Sequence, residues 1–136
     1  MKQLMAGGCQ CGAVRYEVLG EPLRSGFCYC RDCQRATGSG HVPFMVLTRQ
    51  NLQISGETNN YISENNSGGV TIRHFCSICG SRVFAEFGES QKLCSLYAGT
   101  LDDPNQFTPA IAVFTSRRAD WDKTTEDLIE HDESSV

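Results

Sequence analysis

The chain is 136 residues long and carries 16 Asp and Glu against 12 Lys and Arg, a formal charge of −4. That length suits one domain with a modest core. The mild acidity offers no basic face for nucleic acid, and no run of eighteen apolar residues is present to span a membrane, so neither partner is expected.

The first eight residues, Met1 to Gly8, lack the apolar core of a secretory signal. A cytoplasmic chain with reduced thiols is therefore expected. Cys9-Gln10-Cys11-Gly12 follows as a C-x-C pair on a turn. Residues 13–18 alternate: Val14, Tyr16 and Val18 face one way, Arg15 and Glu17 the other, the period of a half-buried strand. Cys28-Tyr29-Cys30-Arg31-Asp32-Cys33 packs three thiols into six residues, at the start of a short helix over 31–37. Further strands are expected over 41–47, 52–55, 60–63, 70–75, 82–87, 92–98 and 110–115. Turn signals divide them, among them Ser55-Gly56-Glu57, Asn66-Ser67-Gly68-Gly69 and Asp103-Pro104-Asn105. Cys76-Ser77-Ile78-Cys79-Gly80 joins two of these strands as a knuckle, with Gly80 letting amide N–H groups curl toward the sulfurs. His74 beside it reads as structural.

Cys94 lies on a strand near Leu93 and Leu96 and reads as a small buried hydrophobe. A second short helix is expected over 125–130. Residues 120–136 hold seven acids against Lys123, which leaves nine acids and eleven bases in residues 1–119. The acidic stretch reads as a solvated terminal segment with disorder past His131. The fold class is mainly β, in several small sheets, with a body over 1–119 and an acidic segment over 120–136.

Seven of the eight cysteines fall in the three clusters. Thiolates two or three positions apart on a turn converge on one soft cation, and Zn²⁺ favours tetrahedral sulfur coordination. A disulfide framework, a thioredoxin-like redox pair and an iron–sulfur cluster are the competing readings. C-x-C with C-x-x-C supplies four sulfurs and a closed, structural site. Pairing Cys76 and Cys79 with Cys30 and Cys33 is the alternative that spacing leaves open. Cys28, Cys30 and Cys33 supply three sulfurs, with the fourth position open unless His41 or Cys94 closes it. Three thiolates leave Zn²⁺ at a net −1. Such a metal is a weak generator of hydroxide and well suited to activating an incoming thiolate. Thiol activation is the chemistry these residues point to.

Three segments then carry a resemblance. They are Gly8-Cys9-Gln10-Cys11-Gly12-Ala13-Val14-Arg15-Tyr16, Cys28 to Gly38 (CYCRDCQRATG), and Phe75-Cys76-Ser77-Ile78-Cys79-Gly80 with Gly99-Thr100-Leu101-Asp102-Asp103-Pro104 beyond it. Together they resemble the glutathione-dependent formaldehyde-activating enzymes and the related centromere protein V domain. The resemblance implies small coiled antiparallel β-sheets stapled by zinc, related to the methionine sulfoxide reductase B fold. It implies a structural zinc on Cys9, Cys11, Cys76 and Cys79 and a catalytic zinc on Cys28, Cys30 and Cys33, open to glutathione sulfur. The implied reaction is reversible addition of glutathione to formaldehyde, a carbon–sulfur lyase chemistry giving S-(hydroxymethyl)glutathione. This chain departs from the family in having Tyr29 where a His is usual. It also reads Pro109-Ala110-Ile111-Ala112-Val113 where Pro-x-x-His-Ile is frequent, and it keeps the later aromatic as Trp121.

Arg31 and Arg35 flank the open site and suit the two carboxylates of glutathione, since a guanidinium grips a carboxylate bidentately, or they are surface arginines on a short helix. Tyr29 suits a hydrogen bond to the nascent hydroxymethyl oxygen, or a place in the core. Two other functions compete. A zinc-stapled protein-binding module would have the middle site closed and no pocket beside it. A sulfoxide reductase would need an exposed, reactive Cys94.

Overall fold

The computed structural model describes residues 3–123 and 128–135. The chain is mainly β. A three-stranded antiparallel sheet is built from β1 (Gln3–Gly8), β2 (Arg15–Leu19) and β5 (Leu52–Ser55), with β2 in the middle. The alternation read over 13–18 is realised in β2: Tyr16 and Val18 are buried while Arg15 and Glu17 are exposed.

The second sheet has eight strands. Its elements are β3 (Arg24–Cys28), β4 (Val42–Thr48), β6 (Thr58–Glu64), β7 (Val70–Cys76), β8 (Arg82–Phe87), β9 (Leu93–Tyr97), β10 (Ile111–Val113) and β11 (Ile129–Glu130). The order is β11-β10-β3-β4-β9-β8-β7-β6. Every neighbouring pair from β3 to β6 is antiparallel, while β10 runs parallel to β3 and to β11. Gly26 permits the β3–β10 contact, since a Cβ there would lie 2.1 Å from the Ile111 carbonyl oxygen.

The two sheets share one core. Val14, Tyr16, Val18 and Leu52 from the small sheet pack with Met45, Leu47, Val83 and Leu96 from the large one. Leu52 and Leu96 are essentially inaccessible, and truncating either to Ala would cost about 2–5 kcal/mol. β4 is covered on both faces: Met45 and Leu47 enter this core, and Phe44 and Val46 enter a smaller cluster with Val113.

One helix stands between β3 and β4. It is α1 (Arg31–Thr37), with the bounds the sequence indicates. Cys30 caps its N-terminus and Gly38 its C-terminus, the latter at φ 74°.

The acidic segment differs from its expectation. Ile129 and Glu130 form a strand on β10, where a helix was expected over 125–130; residues 125–127 lie outside the described ones. Disorder past His131 is corrected as well. The His131 N–H donates to the Ala112 carbonyl at 2.8 Å and the Phe114 N–H to the Glu133 carbonyl at 3.0 Å. Glu133 also meets Arg117, and Glu130 meets Arg118. Acid density reads as solvation in a sequence, but here the open edge of β10 and two arginines receive it.

Candidate metal centres

β1 and β2 are joined by the turn that carries Cys9 and Cys11, and β7 and β8 by the turn that carries Cys76 and Cys79. The Gln10 N–H donates to Ser81 Oγ at 3.1 Å and closes one turn on the other. The four sulfurs come within 4.8 Å of one another. Cys9 Sγ lies 3.6 Å from Cys11 Sγ, which lies 3.7 Å from Cys76 Sγ. Backbone amides aim at them: Val14 N–H at Cys9 (3.2 Å), and Ile78 and Cys79 N–H at Cys76 (3.3 and 3.4 Å). Gly80, at φ 76°, closes the knuckle through its N–H to the Cys76 carbonyl. Ser81 beside Cys79 holds that thiol down to about 5. Sulfurs that accept N–H bonds suit a soft or borderline dication such as zinc. The pairing that spacing leaves open is thus Cys9 and Cys11 with Cys76 and Cys79.

The second set lies where β3 runs into α1. Cys28 ends the strand, Cys30 caps the helix and accepts the Cys33 N–H at 3.3 Å, and Cys33 sits in the first turn. Their sulfurs also fall within 4.8 Å of one another. Cys30 is pulled down to about 3 because Cys28 and Cys33 hydrogen-bond to its sulfur. Cys28 is pushed far up by its hydrogen bonds to Cys30 and Cys33 and by burial. Cys33 is lowered by Cys28 but lifted more by Cys30 and burial, reaching about 12. Packed thiols cannot all ionise against their mutual repulsion. A dication removes that obstacle, so the donor set fits zinc.

No fourth Cys, His, Asp or Glu joins this set among the described residues. Cys94 is fully buried in the main core, and burial pushes its thiol up to about 12. His41 Nδ1 instead pairs with Asp122 Oδ2 at 2.7 Å. Gly40 leaves room for that carboxylate, since a Cβ there would lie 2.3 Å from Asp122 Oδ2.

The other candidates are placed as follows. Tyr29 is fully buried; its hydroxyl has no hydrogen-bond partner, its ring lies 5.0 Å from that of His41, and the Arg118 guanidinium sits 4.5 Å over it. Arg31 donates to Gln34 Oε1, whose amide holds the Tyr29 carbonyl at 2.7 Å. Arg35 is exposed. Arg31 and Arg35 share one face of α1 by their spacing, while Cys33 lies on the other. His74 bonds Glu86 Oε1 at 2.6 Å and stacks on Phe84, a structural place.

Arg73 and Tyr97 were not foreseen. Arg73 is 8% exposed and leaves Nε without a partner; burial disfavours its charge, but the neighbouring Tyr97, Cys33 and Cys30 favour it more. Tyr97, also buried, adjoins both Cys33 and Arg73. Nothing in the alternation of β7 marks residue 73 as facing a metal centre. A cavity of about 390 Å³ adjoins Tyr97, with Thr37, His41, Arg82 and Gly99 also in its lining.

A family profile described as "Glutathione-dependent formaldehyde-activating enzyme" matches residues 4–117. A curated protein of Halomonas elongata, named "Putative glutathione-dependent formaldehyde-activating enzyme", is 28% identical over 124 residues, covering 87% of this chain and 79% of that protein. A crystal structure of a Rhodobacter sphaeroides protein shares the fold, with a TM-score of 0.56 at 22% identity, over 75% of this chain and 94% of the other.

Proposed function

The chain belongs to the glutathione-dependent formaldehyde-activating enzyme family, and from this premise we propose that it is a carbon–sulfur lyase. It adds a zinc-activated thiol, glutathione, to formaldehyde or a related small electrophile. Two zinc ions serve it: a structural one on Cys9, Cys11, Cys76 and Cys79, and a catalytic one on Cys28, Cys30 and Cys33. The observation that carries the reading is the division of seven cysteines into a set of four and a set of three, the smaller with no fourth protein ligand among the described residues.

Zinc on the three-cysteine set supplies a soft Lewis acid that lowers the pKa of an incoming thiol and holds its sulfur. The protein's part is placement. Cys28, Cys30 and Cys33 fix the centre on the strand–helix junction. Arg73 adds a positive charge beside it and favours an anionic ligand there. Arg31 and Arg35 are proposed to meet carboxylates of the thiol, and Tyr29 to donate to the product oxygen. In the addition a carbon–sulfur bond forms, the carbonyl π pair moves to oxygen, and oxygen takes a proton equivalent to the one the thiol lost. The product is S-(hydroxymethyl)glutathione, and the reverse step returns both reactants.

The unit that performs this spans residues 1–119, with the acidic segment 120–136 attached, in a coiled β fold related to methionine sulfoxide reductase B. A cytoplasmic setting suits its eight unpaired thiols. A sulfoxide reductase role loses its nucleophile with Cys94 buried. A binding module with a closed middle site lacks its closing ligand among the described residues.

Calorimetry on the zinc-loaded protein tests the reading. Glutathione should bind more tightly than S-methylglutathione, whose sulfur has no proton to lose. Its affinity should rise with pH toward the thiol pKa, because the ligand binds as thiolate and must shed a proton. Equal affinity for the two would show that sulfur does not ligate the metal.

A further inference from the structure

The seven residues of α1 bury one side chain, and it is an amide: Gln34 is 8% exposed. Apart from tyrosines and cysteines, Gln34 and Arg73 are the only buried polar or charged residues among the described ones. Both adjoin residues of the three-cysteine set. A buried amide costs free energy unless its nitrogen and oxygen are bonded, and Gln34 bonds both. Its Nε2 donates to the Tyr29 carbonyl at 2.7 Å and to the Arg117 carbonyl at 3.0 Å, and its Oε1 accepts from Arg31. The carbonyls need donors and the guanidinium needs an acceptor, so an amide in this one orientation serves all of them.

What these bonds hold is the spacing of the thiols. Tyr29 separates Cys28 from Cys30, so the placement of those two sulfurs follows from the peptide planes on either side of its Cα. The Tyr29 N–H, in the plane shared with Cys28, donates to the Val113 carbonyl at 3.0 Å. The Tyr29 carbonyl, in the plane shared with Cys30, is held by Gln34. Gln34 itself follows Cys33 on the helix. Its side chain therefore closes residues 29–34 into a ring that contains Cys30 and Cys33, and the Arg117 carbonyl ties that ring to the segment beyond β10. Crowded thiols repel as they ionise, and a chain free to turn at Tyr29 would let them spread. The clamp holds them converged, which lowers the ordering cost of binding an ion.

We propose that Gln34 is a positioning residue for the three-cysteine centre, holding its thiols in ligand geometry through the Tyr29 carbonyl and not through contact with metal or substrate. The inference rests on the reading that this set holds zinc. It goes beyond that reading by giving the affinity and geometry of the centre to a side chain that is not a ligand. Arg31 contributes by fixing Oε1 with one of its N–H donors.

Mild chelation is used to empty the three-cysteine set while the four-cysteine set keeps its zinc. Co²⁺ is then titrated into wild type, Gln34→Met, Gln34→Glu and Gln53→Met, with thermal melts in parallel. Methionine matches glutamine in length and has no N–H to donate. Glutamate keeps the size and an acceptor for Arg31 but sets a carboxylate oxygen against the two carbonyls. Gln53 is exposed on β5 and its amide donates to the Gln50 carbonyl, so Gln53→Met makes the same chemical change away from the centre. Sulfur-to-cobalt charge transfer and the ligand-field bands report how many thiolates bind and in what geometry. Both Gln34 variants should bind Co²⁺ about ten- to hundredfold more weakly, the range for residues that orient metal ligands. Their ligand-field bands should be displaced at temperatures where the variants are fully folded, and Gln53→Met should match wild type. If Gln34→Met is too unstable to fold, Gln34→Glu, with its carboxylate paired to Arg31, carries the same comparison. A purely structural Gln34 would lower the melt and leave cobalt affinity and spectrum at wild-type values, and that result overturns the proposal. Failure of the underlying metal reading looks different: wild type itself would show no sulfur-to-cobalt charge transfer at the smaller set, and both would fall.

Discussion

Cys94 shows how burial alone silences a thiol. It is fully inaccessible, and the low-dielectric core disfavours its anion, lifting it from an ordinary value of 9.0 to about 12. Iodoacetamide should therefore leave Cys94 unmodified in the folded protein, with labelling that follows unfolding; prompt native-state labelling, read by peptide mass, would revive the redox reading. The same shift sets a pH dependence. A group whose folded pKa is raised contributes stability that is complete below its unfolded pKa and lost as pH climbs through the folded one. Between pH about 9 and about 12 only the unfolded thiol ionises, so the unfolded state binds fewer protons and stability falls. Burial lifts the Tyr16 phenol to about 12 and adds in the same direction. Urea midpoints should decline across that window, and Cys94→Ala should flatten part of the slope despite its packing cost.

At the scale of elements, the two cysteine sets sit on different kinds of support. A metal on the set of four would tie the turn of the small sheet to the knuckle of the large one, adding to the core the two sheets share. The set of three lies within one short strand–helix junction whose neighbours hold by backbone bonds, such as the Tyr29 N–H to the Val113 carbonyl at 3.0 Å. Cys76→Ser should accordingly destabilise the fold by several kcal/mol, the scale of a structural zinc's contribution, read as a sharply lower melting temperature. Cys30→Ser should leave the melt near that of wild type and remove thiol-dependent activity. Similar melts for both would abolish the division into structural and catalytic metals.

The same contrast separates what could be read in advance from what could not. β5, β8 and α1 have the bounds their sequence patterns indicate, because each has clear periodicity and flanking turns. β1, β3 and β11 went unread. Their residues, such as Gly7, Gly8, Ser25, Gly26 and the acids around Ile129, are poor strand formers, and pairing partners far along the chain impose the conformation. Cysteine membership was legible because few residue types serve soft metals. Arg73 and Tyr97 were not, since strand register and sheet order bring them beside Cys33.

For the whole molecule, the two sheets, their shared core and the paired cysteine turns make metal content and folding a linked measurement. Two zinc ions are proposed for the seven thiols in two sets, and the sets should release them unequally. Removing the ion from the larger set breaks four sulfur bonds and separates turns that belong to two sheets. Removing it from the smaller breaks three, all within residues 28–33. A chelator should thus take zinc in two phases, the first with unchanged circular dichroism and the second with loss of structure. Acid should act in the same order, because every ligand must be a thiolate to bind, and falling pH supplies the competing proton. Elemental analysis along a chelator titration measures both quantities at once. A total of one zinc per chain, or a single phase in which metal and fold are lost together, would show that the three-cysteine set is not a separate metal centre, and the thiol-activation reading would lose its foundation.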